Sequence, residues 1–214
     1  MTVLPHHLST DGVIDLGPAA LLAEHGFRRK GRNFSRIREP FVDSVYFQAF
    51  RGAPFSFCIV LSLVLPHHHF VTRGTKLPRS PNIDNASRLA STRVEFPTDD
   101  GINHWFVVTR DTPAEPVASL VMSRLPEALT FFDNFRSVEQ VIVALQAESE
   151  LVDHSPHVNS LNLAVLLAYT GQRQQALATL AALPLQAIPP GLEDRLLNAQ
   201  EGSPNPSLQR TPPG

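Results

Sequence analysis

Between Phe55 and Leu65 every odd position is large and apolar (Phe55, Phe57, Ile59, Leu61, Leu63, Leu65), whereas Ser56, Cys58, Val60, Ser62 and Val64 are small or intermediate. A period of two over this run predicts a β-strand with one face wholly in a core and the other under partial cover. Val42–Arg51 is a second extended run, and Arg51-Gly52-Ala53-Pro54 is a short Gly/Pro connection, so the two pair as an antiparallel hairpin. A second hairpin is expected from Leu89–Phe96 and Ile102–Arg110, joined by the turn-forming Pro97-Thr98-Asp99-Asp100-Gly101.

Elsewhere the period is helical. Pro18 in a first turn, Leu21 and Leu22 as an apolar edge and Gly26 as a left-handed terminator place a short helix at Gly17–His25. After Pro113 further helices are expected: Glu127–Phe135, then Val138–Glu148 behind the capping-box pair Ser137 and Gln140, then Ser160–Tyr169 and Gln172–Leu183 around Thr170-Gly171. Pro116–Met122 reads ambiguously. Pro66–Pro81 holds three prolines, three consecutive histidines and Gly74 and is expected to be an exposed loop. The whole is an α+β fold: an antiparallel sheet of about four to five strands, a short N-terminal helix and C-terminal helices packed on it. The organisation expected is a flexible arm at 1–13, an α+β domain at 14–150, a helical hairpin appendage at 151–199 and a disordered tail at 200–214.

Composition narrows the class. An apolar fraction of 43% over 214 residues suits a globular core, and no apolar run approaches the roughly 20 residues of a membrane helix. No basic residue precedes Arg28 and no sustained apolar stretch lies before it, so no secretory signal is expected. The single cysteine, Cys58, cannot form an internal disulfide, and a cytoplasmic address is the default expectation. The net charge of −2 conceals a division: twelve Lys/Arg against three acids from Arg28 to Arg93, and five against eleven from Asp111 onward. Such a basic half either steers an anion or faces the protein's own acidic half.

Gly26-Phe27-Arg28-Arg29-Lys30-Gly31-Arg32-Asn33-Phe34, with the helix before it and the runs containing Tyr46-Phe47-Gln48 and Phe55-Ser56-Phe57 after it, resembles bacterial proteins grouped as domain of unknown function 4304. Arg88–Arg93, Asn103-His104-Trp105 and the apolar pattern around Leu129–Leu145 extend the resemblance over roughly residues 14–150. It implies an α+β domain and brings no substrate, cofactor or catalytic residue with it. Separately, Asn162-Leu163-Ala164, Gly171, Ala176 and Leu180 are similar to one tetratricopeptide helical hairpin, although a stack needs about three repeats to bury a continuous core. Asn205–Pro213 is similar to a tail found on unrelated bacterial proteins and enters no functional argument.

Several residues could carry chemistry. His67, His68 and His69 are imidazole ligands by type, but adjacent side chains on an extended segment alternate in direction, so no metal site is assigned. His154 and His157 have helical ligand spacing, against which Pro156 argues. Asp99, Asp100 and His104 could form a carboxylate–imidazole pair at a hairpin end, the basis of a hydrolase-like reading, although Asp-Asp-Gly is also ordinary turn chemistry. Cys58, inside an apolar strand, reads as a packing residue. The common nucleotide-binding, protease and hydrolase motifs are absent, and no cofactor is implied.

The anion- or nucleic-acid-binding candidates are Arg28, Lys30, Arg32, Phe34, Arg36 and Arg38. On an unbroken strand they would share one face, cations for phosphates and a ring for a base. Phe27 and Phe34, seven apart, cannot then both face the core unless Gly31 breaks the register. The leading expectation is a non-catalytic binding module with a protein partner, of an immunity-like or regulatory kind. Nucleic-acid binding through Arg28–Arg38 is the alternative, and catalysis by Asp99, Asp100 and His104 the second.

Overall fold

The computed structural model describes residues 9–50, 55–77, 88–98, 101–103, 105–108, 113–152 and 155–198. Two short helices open the chain, α1 (Thr10–Asp15) and α2 (Pro18–Glu24). The Ser9 hydroxyl caps α1 by accepting from the Gly12 N–H, and Val13 and Ile14 enter the core, so the loose arm expected over 1–13 does not extend past Ser9. Gly26, at φ +82°, ends α2 in the left-handed conformation expected of it.

The strands β1 (Arg28–Lys30), β2 (Asn33–Arg38), β3 (Phe41–Phe50) and β4 (Phe55–Val64) follow as a meander. Gly31, at φ +61°, takes the first central position of the two-residue turn between β1 and β2, where a glycine at positive φ matches the strand twist. The register is therefore broken at Gly31 by a full reversal, and Lys30 sits opposite Asn33. A two-residue turn through the cis Glu39–Pro40 bond leads into β3. β3 and β4 pair from Val42↔Val64 to Phe50↔Ser56, the long hairpin that the alternation predicts.

Pro66–Arg73, expected to be an exposed loop, is instead a helix, α3. The supposed breakers are its punctuation. Pro66 occupies the first turn, where its missing N–H costs nothing, and Gly74 closes the helix at φ +70° with its N–H on the Phe70 carbonyl. β5 (Ala90–Arg93) and β8 (Phe106–Val108) share the remaining edge of β4, β5 along Val60–Leu63 and β8 along Phe55–Phe57. Between them only a short hairpin forms, β6 (Phe96–Thr98) with β7 (Gly101–Asn103), as a small separate sheet; the runs Leu89–Phe96 and Ile102–Arg110, expected to pair with each other, instead supply β5 and β8, which each pair with β4.

The remaining elements are helical. α4 (Ala114–Leu129) runs through Pro126 into a 3₁₀ turn, Thr130–Asn134. The helix expected at Glu127–Phe135 thus starts thirteen residues earlier, because Val117, Val121, Leu125 and Leu129 form one buried stripe whose packing outweighs the hydrogen bond lost at Pro126. α5 (Val138–Gln146) carries the full Ser137/Gln140 capping box. α6 (Pro156–Tyr169) and α7 (Arg173–Ala181) form a helical hairpin at Gly171, and α8 (Leu192–Asn198) follows a 3₁₀ turn.

One core joins the odd-numbered side chains of β3 and β4 (Phe41, Val45, Phe47, Phe57, Ile59, Leu61, Leu63) to α1, α2, α4 and α5, and it reaches Leu166 and Leu167 of α6 and Ala176 of α7. A second, smaller cluster unites α3, α6, α7 and α8 through Val71, Ala164, Val165, Leu180, Leu192 and Leu196. The other face of β4 is not under partial cover, since Cys58, Val60, Ser62 and Val64 are all buried. Among the described residues no helix is long and apolar enough to cross a membrane.

The turn at Gly31 yields a direct check. A Cβ there meets no heavy atom within 4 Å, so Gly31→Ala carries only the cost of a side chain at positive φ. The expected loss is about 1 kcal/mol in urea unfolding; an unchanged or raised midpoint would refute this account of the turn.

Candidate functional site

In an antiparallel pair, residues directly opposite one another lie on the same face, so the register sorts the basic segment. Arg29, Phe34, Arg36 and Arg38 lie on the face that meets the helices, with Val45, Asp43 and Phe41 opposite the last three in that order. Arg28 and Lys30 lie on the outer face, opposite Ser35 and Asn33. The six candidates are thus divided: Phe34 is buried in the core, Arg32 stands in the turn, and no ladder of five cations forms.

The inward arginines are held by carboxylates. Asp43 is fully buried and takes Arg36 through Nη2 at 2.7 Å and Nε at 3.1 Å, and Arg38 through Nη2 at 3.0 Å and Nε at 3.1 Å. Each guanidinium has a further acceptor: Arg36 Nη1 donates to the His25 carbonyl at 3.1 Å and Arg38 Nη1 to the Phe135 carbonyl at 2.8 Å. Arg36 also lies 4.6 Å over the Phe27 ring, and Arg38 5.7 Å over that of Phe41. Nearer the turn, Arg32 grips Asp11 with Nε at 3.0 Å and Nη2 at 2.6 Å, and Arg29 pairs with Asp15. The hydrogen bond from Arg32 holds the Asp11 carboxyl below its ordinary range, against the opposing effect of burial.

The outer face has a different composition. One row reads Arg28, Ser35, Ser44, Ser62, Ser91 across β1 to β5, and the next reads Lys30, Asn33, Tyr46, Val60, Arg93. Ser44, Ser62 and Ser91 are buried, the Ser44 hydroxyl donates to Asn33 Oδ1 at 3.0 Å, and the Ser62 hydroxyl has no partner among the described residues. Tyr46 and Trp105 pack on Cys58 and Val60 as a small apolar cluster, and Arg93 lies 5.9 Å over the Trp105 ring. Asp43 is the only carboxylate within the five strands, so none lies on their outer face. Arg28 and Lys30 are exposed and make no ion pair among the described residues.

The other candidates separate. Burial pushes the Cys58 thiol up to about 11, against a smaller opposing effect of the Arg93 charge, and Gln48 Oε1 lies 3.7 Å from its sulfur. A thiolate is therefore scarce at neutral pH. His67, His68 and His69 sit on α3 rather than on an extended segment. His67 meets Tyr169 with ring centroids 4.9 Å apart, and His68 is wholly buried with neither nitrogen hydrogen-bonded among the described residues. Asn162 faces His68, but its Nδ2 donates to the Arg88 carbonyl at 3.2 Å. Among the described residues no three His, Cys, Asp or Glu side chains could hold a metal together. Pro156 begins α6 rather than preventing it, which leaves His157 exposed in the first turn. Asp99, Asp100, His104 and His154 lie outside the described residues.

Asp43 is the residue that sequence reasoning missed. Its signal was present: it occupies an odd position among Phe41, Val45 and Phe47, where a charge on a core face must be paired.

These features define an α+β protein whose meander sheet packs its inner face on helices, with inner arginines paired to carboxylates and outer cations that make no ion pair among the described residues. The family model described as domain of unknown function (DUF4304) matches residues 19–134, and the chain belongs to that family. That span runs from α2 to the end of the 3₁₀ turn and includes the Arg36–Asp43–Arg38 cluster. No curated protein and no solved structure matches the chain.

Asp43→Asn keeps the shape but leaves two guanidiniums without a counter-charge. Breaking a buried pair from one side gives an expected loss of about 3 kcal/mol, read from the urea midpoint. A loss below about 1 kcal/mol would show that the cluster does not hold the sheet to the helices.

His68 supplies a pH test. Burial lowers its pKa to about 3, outweighing Asn162, which acts to raise it. The unfolded chain, with a pKa of about 6.5, binds more protons below that value, so stability falls as pH drops from about 6.5 toward 3. The expected slope is on the order of 1 kcal/mol per pH unit, and His68→Leu should flatten it between pH values of about 6 and 5. Parallel stability profiles for the two proteins would contradict a buried neutral imidazole.

Proposed function

We propose that this chain is a non-catalytic binding protein that engages a protein partner through the exposed basic residues and part-buried aromatic residues on the outer side of its sheet. The observation that carries this reading is the division of reactive and recognition groups. Asp11, Asp15 and Asp43 are each held by arginine. The Cys58 thiol is buried and poorly ionised, and His68 is buried. What remains toward the outer side is Arg28, Lys30, Tyr46, Gln48, Arg93 and Trp105, with Arg28, Lys30 and Arg93 exposed and the other three half-buried. Arginine and aromatic side chains supply interface hot spots, because one residue combines a large contact area with a directed polar group. A regulatory or immunity-like role, in which the bound partner is held inactive, is the form of this function that a binding face without paired acid and base favours.

Nucleic-acid binding through Arg28–Arg38 draws less support. Arg32, Arg36 and Arg38 are directed at carboxylates, and Phe34 is buried where no base can stack on it. Arg28 and Lys30, at one edge and without an ion pair among the described residues, offer few phosphate contacts.

The immobilised protein is expected to retain a specific partner from a cell extract. Arg93→Ala with Trp105→Ala should reduce that retention at least about tenfold, the scale of a hot-spot pair, with the thermal midpoint as a folding control. Absence of a specific partner, together with turnover of a metabolite by the purified protein, would reject the reading.

A further inference from the structure

A buried imidazole stands at the seam between the span matched by the family model and the helices beyond it. α3 lies within residues 19–134, whereas α6 and α8, on which it packs, lie after them. Val71 of α3 shares a cluster with Ala164 and Val165 of α6 and Leu192 and Leu196 of α8, separate from the core of the sheet. Arg195 of α8 adds a hydrogen bond from Nε to the Val71 carbonyl at 2.6 Å. His68 precedes Val71 at the i,i+3 spacing that shares a helix face, and it is wholly buried.

The surroundings of His68 suit a neutral ring. On α6, Asn159 and Asn162 share a face by the same spacing. Asn162 faces the ring and donates its Nδ2 to the Arg88 carbonyl, and the Asn159 Oδ1 is buried without a partner among the described residues. Tyr169, at the far end of α6, meets His67, and His157 at its start is exposed. On α3 itself His67, His69 and Arg73 act on the ring, each opposing a proton. α8 carries Glu193 and Asp194 in its first turn and Arg195 in its last, and among the described residues no carboxylate contributes to the charges acting on His68. The amides of α6 supply no counter-charge. A proton on His68 therefore enters an apolar contact flanked by cationic groups, a cost relieved by exposing the ring to water. Burial disfavours protons on His67 and His69 in the same direction.

The helices at the seam are held unequally. α6 is tied twice, since Leu166 and Leu167 also enter the core of the sheet, whereas Val71 of α3 and the buried leucines of α8 belong to the smaller cluster alone. We propose that protonation of His68 opens this seam, releasing α3 and α8 from α6 while the sheet stays folded, so that an acid-sensitive contact joins the family domain to the helices that follow it. Such a sub-global opening lies below global unfolding in free energy because it breaks only the smaller cluster. In the closed form the imidazole stays neutral down to about 3, and in the open form it titrates near its ordinary 6.5. Opening is therefore insensitive to pH above about 6.5 and grows as pH falls from there toward 3. Between pH values of about 7.5 and 5.5 the open fraction rises about tenfold through His68 alone.

Amide hydrogen exchange of the full chain, read by region at those two pH values and corrected for the pH dependence of intrinsic exchange, tests this. At the lower pH, α3 and α8 should be at least about tenfold less protected than β3 and β4, and their exchange should be nearly independent of sub-denaturing urea, because a local opening exposes little surface. Their protection should fall at least about tenfold between the higher and the lower pH, and the fall should be about tenfold smaller in His68→Leu. Arg195→Ala should lower the protection of α8 at both pH values and keep the pH dependence. Protection of α3 equal to that of the strands, no fall with pH, an undiminished fall in His68→Leu, or unchanged α8 protection in Arg195→Ala overturns the proposal. The comparison of regions within the unaltered chain decides the matter even if His68→Leu does not fold.

Discussion

The fully buried Asp43 carboxylate is the point on which the two layers of this protein are joined. It lies on β3, takes both arginines of β2, and through their remaining N–H groups reaches the carbonyl that ends α2 and the carbonyl that follows the 3₁₀ turn after α4. A lone carboxylate at that depth is strongly unfavourable, and so is a guanidinium against an apolar helix layer. Together they satisfy one another and two main-chain acceptors that helix ends leave without partners. The cluster also fixes angle as well as distance, because a forked guanidinium donates in a plane. Arg36 and Arg38 each lie over an aromatic ring of the core, so their orientation is determined from both sides.

The same use of charge accounts for most of the basic segment. A segment whose composition suggests a binding ladder is for the most part internal scaffolding: Arg32 and Arg29 tie the β1–β2 hairpin to α1, and Arg36 and Arg38 tie the sheet to α2 and the 3₁₀ turn. Which cations stay on the outer face is set by strand parity. A one-residue shift in β1 would turn Arg28 and Lys30 inward and Arg29 outward, so the outer charge depends on the reversal at Gly31 as much as on the residues themselves.

Much of the fold was legible because it rests on short-range pattern. The β3–β4 hairpin, the capping box of α5, the left-handed Gly26 and the Gly171 reversal are local features, and local features leave periodic or positional marks. The misreadings share one cause, which is that proline, glycine and polar runs mean different things according to what packs against them. Pro66 and Gly74 bound a helix because Val71 of α3 finds a cluster formed by α6, α7 and α8, and Arg195 of α8 donates to the Val71 carbonyl at 2.6 Å. Pro126 is tolerated because the stripe on either side of it is buried. Of the candidate site, the cations were visible but not their division, and Asp43 went unread because its partners are identified only by register.

By itself the sequence determined the long β3–β4 hairpin, the helices α2, α5, α6 and α7, that the fold is α+β, and where the cationic residues concentrate. These properties follow from side-chain periodicity and backbone preference, which act over a few residues. Only the tertiary structure decided which arginines are neutralised, that His68 is buried, that the serines of four strands align, and that Arg28, Lys30 and Arg93 share a face. Each of those depends on residues brought together from distant parts of the chain. A charge becomes structural or available according to whether a carboxylate lies opposite it, and that opposition exists only after the strands have paired.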